Sequence, residues 1–116
     1  MKLLKVVMFV LLLPVIGVSQ TLKINGDLTV VHFNAGWNSA NDVKWITDVD
    51  NAKLKNCDIA TDTKAADKFK IVVVPTIVIF KDGEEVERFQ ADISFSMKAT
   101  LEEVQEAVDE ANMGDF

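Results

Sequence analysis

Val72-Val73-Val74-Pro75-Thr76-Ile77-Val78-Ile79-Phe80 leads into Lys81-Asp82-Gly83-Glu84 and then Glu85-Val86-Glu87-Arg88-Phe89-Gln90. The first run is apolar and rich in β-branched residues, so it reads as a strand over 72–80 that is buried on both faces. Asp-Gly after it is a strong hairpin-turn signal, and residues 85–90 alternate as a half-exposed strand should. Pro75 is the discordant residue, because a proline inside a central strand removes a ladder donor.

Outward from this hairpin, Leu28 to Ala35 (LTVVHFNA) is a second apolar run of strand length, bounded by Gly26-Asp27 and Gly36. Leu54 to Ile59 is a weaker strand candidate. Val43, Ile46 and Val49, with Trp45 beside them, predict a short helix within 38–50, capped by Ser39. Thr63 to Phe69 predicts another short helix. Over 97–112, Leu101, Val104, Val108 and Ala111 share one face and five acidic residues occupy the others, with Thr100 and Glu103 at capping-box spacing. The order strand, helix, strand, helix, strand, strand, helix describes an α/β sheet with helices on both faces, parallel at first and antiparallel at the end.

Composition removes several functions. The chain has 116 residues, a net charge of −6, one cysteine and one histidine. One cysteine excludes an intramolecular disulfide framework and a Cys-x-x-Cys pair, and with one histidine it makes no Cys/His metal site. The acidic balance opposes a phosphate-tracking surface, so nucleic acid is not an expected partner. Nothing in the sequence calls for a metal or a cofactor.

Residues 1–19 form a separate unit. Lys2 and Lys5 precede thirteen uncharged residues, Val6 to Val18, and the segment closes on Gly17-Val18-Ser19. This is the layout of a secretory signal peptide cleaved after Ser19. The apolar run is short of the about 20 residues that span a bilayer. An uncleaved membrane anchor and a buried first strand over 3–12 are the alternatives. Removal of the leader takes the net charge to −8 and places the protein in the periplasm or outside the cell, where thiols meet oxidising conditions.

Three stretches together, Val30-Val31-His32-Phe33-Asn34-Ala35-Gly36-Trp37, Lys68 to Thr76 and Ile79 to Glu84, resemble the thioredoxin family. The resemblance covers about residues 28–112, preceded by a short segment over 20–27 and followed by a tail over 113–116. It implies a thioredoxin-like three-layer α/β sandwich with a mixed sheet. It also implies a cis peptide bond before Pro75 and a missing first helix, since few residues separate the leader from Leu28. In the family a Trp-Cys-x-x-Cys dithiol begins the first helix after the central strand. Here Trp37 is followed by Asn38-Ser39-Ala40-Asn41, and an amide can neither form a thiolate nor be oxidised to a disulfide. The family's buried acid and its lysine partner correspond to His32 and Asn56.

The resemblance further implies a peptide-binding groove formed by Trp37, Val74, Pro75, Gln90 and Ala91, in which backbone strand pairing needs no thiol. A redox-inactive protein- or peptide-binding module is therefore the leading expectation. A monothiol or dithiol-type oxidoreductase relying on Cys57 is one alternative, and a structural or homodimer-forming component is another. His32 reads either as a general base or as a buried imidazole satisfied by a neighbour. Cys57 reads as buried, as paired with another chain, or as reactive.

Overall fold

The computed structural model of the protein describes residues 22–113. The leader over 1–19 and the question of a first helix lie outside the described residues, as does the tail beyond Met113. The four strands are β1 (Thr29–Asn34), β2 (Lys53–Asp58), β3 (Thr76–Lys81) and β4 (Glu84–Gln90). They form one sheet in the order β2-β1-β3-β4. β1 and β2 are parallel, while β3 runs antiparallel to both β1 and β4. Helices α1 (Thr63–Lys68) and α2 (Leu101–Met113) complete the regular elements, with two 3₁₀ segments at Gly36–Asn41 and Lys44–Asp48.

Strand alternation sends successive side chains of β1 to opposite faces. Val31 and Phe33 join Val74, Val78, Phe80 and Ala65 of α1 in one cluster. Val30 joins Ile77, Ile79, the second 3₁₀ segment and Val104 and Val108 of α2 in the other. The acidic face of α2 is solvated, and its start carries the expected capping box: Glu103 N–H donates to Thr100 Oγ1 (3.2 Å) and Thr100 N–H to Glu103 Oε1 (2.9 Å). Asp82 (φ 54°) and Gly83 (φ 82°) supply the two left-handed residues of a tight hairpin turn. Beyond the turn, Phe80 faces Glu85 and Ile79 faces Glu87, so Val86 is an inserted bulge residue.

Two predicted elements differ from the structure. β3 begins at Thr76, and Val72 to Val74 form a loop that ends at the cis Val74–Pro75 bond, since proline has no N–H to offer the ladder. The helix predicted within 38–50 is two 3₁₀ segments. Positions 43, 46 and 49 recur every three residues, which is the period of a 3₁₀ helix and not of an α-helix. Asn38 (φ −112°, ψ 21°) is non-helical, and Ala35, not Ser39, precedes the first segment. Val43 is extended, and its N–H donates to His32 Nε2 (3.3 Å) in place of a carbonyl one turn back.

Candidate functional site

β1 ends on Asn34, and the chain turns through Gly36 to Asn41 over the carboxyl end of the sheet. Short polar side chains in such a turn compete with the backbone for hydrogen bonds. Four of them do so here as a network. Asn38 Nδ2 donates to Asn34 Oδ1 (3.0 Å) and to the Phe95 carbonyl (3.2 Å), while Asn38 Oδ1 accepts from Asn41 Nδ2 (2.9 Å). Asn34 Nδ2 in turn donates to the Asn38 carbonyl (3.2 Å) and to Asp42 Oδ1. Asn38 is buried and Asn41 exposed. The Asn38 amide is thus spent inside the protein, tying the turn after Trp37 to the loop that carries Phe95.

Two residues back along β1, His32 is 5% exposed. Its Nε2 accepts from the Val43 N–H, and a backbone N–H can only donate, so the ring proton resides on Nδ1. Nδ1 donates to Asn56 Oδ1 at 2.9 Å. Both ring nitrogens are occupied, leaving no lone pair for general-base work, so His32 is a buried imidazole satisfied by its neighbours.

Cys57 is 7% exposed and packs with the cluster around Phe33. Burial, reinforced by the carboxylates of Asp62 and Asp58, pushes its thiol up to about 11. A nucleophilic thiol needs the opposite surroundings, electropositive and accessible. Alkylation of the native protein at neutral pH is expected to be at least about 100-fold slower than that of a free thiol, since both thiolate fraction and access are reduced. The label should enter at the free-thiol rate once urea unfolds the chain. Native labelling at that same rate, followed by mass spectrometry, would restore Cys57 as a reactive centre.

The remaining predicted residues divide. Trp37 is 67% exposed and meets Phe95 edge-on, with ring centroids 5.4 Å apart. Phe95 and Ile93 are also exposed, and Gln90 lies at the exposed end of β4. Val74 is only 2% exposed and Pro75 is buried, while Ala91 donates its N–H to the Pro75 carbonyl (3.0 Å). Of the predicted groove, Trp37 is therefore accessible beside Phe95, while Val74 and Pro75 lie beneath the surface. Sequence reading missed Phe95, Asn34 and Asp42. Asn34 had a signal, being a polar residue closing an otherwise apolar strand four positions before Asn38. Phe95 had none, because its partner is set by a loop in which it is left-handed (φ 62°).

Between the carboxyl halves of β1 and β2 and the two 3₁₀ segments lies a cavity of about 520 Å³. Val43 and Ile46 supply apolar wall, and His32 and Asn56 lie along one side. No group of three or more metal-capable side chains occurs among the described residues.

Against known proteins, the thioredoxin family matches residues 19–106. A thioredoxin of Staphylococcus saprophyticus subsp. saprophyticus is 34% identical over 55 residues, which are 47% of this chain and 50% of that protein. The match thus spans about half the length of this curated relative. Among solved structures, Fasciola hepatica thioredoxin superposes with a TM-score of 0.54 at 25% identity, covering 74% of this chain and 82% of that one. The reduced thioredoxin pre-protein of Schistosoma mansoni gives 0.60 at 21% identity, covering 74% and 80%, a likeness of fold alone.

Proposed function

This chain belongs to the thioredoxin family, and we propose that it is a redox-inactive member that binds extended peptide or protein segments. The observation that carries the reading is sulfur count and placement: the chain has one cysteine, and it is buried on β2 under a raised pKa. Dithiol exchange needs an attacking and a resolving sulfur, and one buried thiol offers neither. In this proposal Asn38 and Asn41 occupy the positions of the family's dithiol, and their mutual hydrogen bond ties that turn noncovalently. His32 and Asn56 occupy the places of the buried charged pair as a neutral one, since a buried carboxylate without a proton to manage is costly.

Binding begins on the exposed apolar surface of Trp37, Ile93 and Phe95, with Gln90 beside it. Exposed tryptophan backed by an edge-on aromatic is a typical anchor for a partner. Val74 supplies the backbone for strand pairing when the covering groups give way. The work is done outside the cytoplasm, an inference supported by the charge and apolar layout of residues 1–19.

Peptides selected from a random display library on the immobilised protein test this. Trp37→Ala should weaken the selected peptides by at least about tenfold, the loss of one anchor residue. Thermal stability should hardly change, because Trp37 is mostly in solvent. Selected peptides that bind the variant as tightly as the parent would place recognition elsewhere.

A further inference from the structure

We propose that the cavity between β1, β2 and the 3₁₀ segments binds a small zwitterion whose ammonium and carboxylate are separated as in a dipeptide or a short ω-amino acid. Its place in the topology is favourable. β1 and β2 are parallel neighbours, and the chain leaves β1 toward the face carrying Ile46 and leaves β2 toward the face carrying Ala65. Crevices at the carboxyl ends of parallel strands, where the connections diverge to opposite faces, are recurrent ligand sites. The volume, about 520 Å³, is ample for a molecule of this size.

Its lining is bipolar. At the strand ends, Asn34 and Asp58 are register partners, and Asp42 bonds to Asn34 from the facing segment. Asp58 Oδ1 accepts from the N–H groups of Gly36 (3.3 Å) and Ala60 (2.8 Å), which fixes the carboxylate. Its Oδ2, like Asp42 Oδ2, has no hydrogen-bond partner among the described residues. Two residues back along both strands lies the His32–Asn56 pair. Lys44 follows directly on Val43, whose N–H is bound by His32, and lines the same cavity. Asn56 Oδ1 is taken by His32, and its Nδ2 has no partner among the described residues. The site therefore has a carboxylate end and a donor end, separated by about 6–7 Å, the rise of two strand residues. Between them, Val43 and Ile46 offer an apolar wall. A simple cation would meet Lys44, and a simple anion would meet two carboxylates; a molecule carrying both charges satisfies both ends. This inference is independent of the peptide-binding reading.

The test is a titration of ¹⁵N-labelled protein with glycylglycine and with 4-aminobutyrate, read as amide shifts. Saturable shifts are expected at Gly36, Val43, Lys44 and Asp58. Asp58→Asn preserves Oδ1 as acceptor for the two N–H groups yet removes the charge, and Lys44→Gln removes the opposite one; each should weaken binding at least tenfold. Butylamine and butyrate, each with one charged end, should bind at least tenfold more weakly than 4-aminobutyrate. Absence of shifts at these amides with either zwitterion at tens of millimolar overturns the proposal. So does equal binding by butylamine or butyrate, or indifference to both substitutions.

Discussion

Replacing His32 by Ala is expected to destabilise the fold by about 3–5 kcal/mol in urea unfolding, the largest effect of any single polar substitution discussed here. Two hydrogen bonds disappear together, a part-buried one from Nδ1 to Asn56 and a buried one from the Val43 N–H to Nε2. Among the described residues the Val43 N–H has no other acceptor, and an orphaned buried donor costs about 1–3 kcal/mol. The lost ring adds a cavity term. Since domains of this size are commonly stable by about 5–15 kcal/mol, the loss should be a substantial fraction of the total. Asn56→Ala should cost less, because Asn56 is exposed and water can replace it beside the ring. A loss under about 1 kcal/mol for His32→Ala would mean that imidazole does not organise the junction between β1 and the second 3₁₀ segment.

Asn38 carries the second large effect. Asn38→Ala removes the bonds to Asn34 and Phe95 and frees the Asn41 amide, at an expected cost of about 2–4 kcal/mol. Because one of these bonds holds the Phe95 carbonyl, hydrogen exchange over residues 92–96 should accelerate in the same variant. Asn38→Asp separates packing from chemistry. It keeps the shape but turns a carboxylate oxygen toward Asn34 Oδ1 and the Phe95 carbonyl, three acceptors with no proton among them. It should therefore be less stable than Asn38→Ala at neutral pH and recover as acidification returns a donor to the carboxyl. Ser39→Ala, on an exposed side chain of the same turn, should stay within about 0.5 kcal/mol of the parent. An Asn38→Asp variant as stable as the parent at pH 7 would show that the amide network is not formed in solution.

Much of the fold was legible because each strand carries its own signal. The Leu28–Ala35 and Thr76–Phe80 runs are apolar on both faces and are buried on both, and Asp82-Gly83 makes the turn it advertises. The 38–50 segment was read as one α-helix although Val43, Ile46 and Val49 recur every three residues, and the extended Val43, whose N–H is taken by His32, separates two 3₁₀ segments. Pro75 was recognisable as exceptional, and β3 begins directly after it. At the site, the absence of a dithiol could be read directly, since sulfur count needs no coordinates. The partners of the His32 ring could not, because one of them is the Val43 N–H eleven residues away. The Trp37–Phe95 pair was equally hidden, because the loop over 91–96 has no pattern that fixes its path. Asp62 carried no distinguishing signal in the sequence, yet it caps α1 through the Ala65 N–H (3.2 Å) and accepts from the Leu22 N–H (2.9 Å).

The proposed function turns on whether this protein moves electrons. Reduction of the insulin interchain disulfides by dithiothreitol, followed as turbidity with and without the purified protein, addresses that point without assuming any partner. The onset and slope are expected to be the same in both, because the single thiol is buried under a raised pKa and presents no thiolate to attack the insulin disulfide. A concentration-dependent acceleration at a thioredoxin-like rate, lost in Cys57→Ala, would show the buried thiol to be a working redox centre and contradict the binding account.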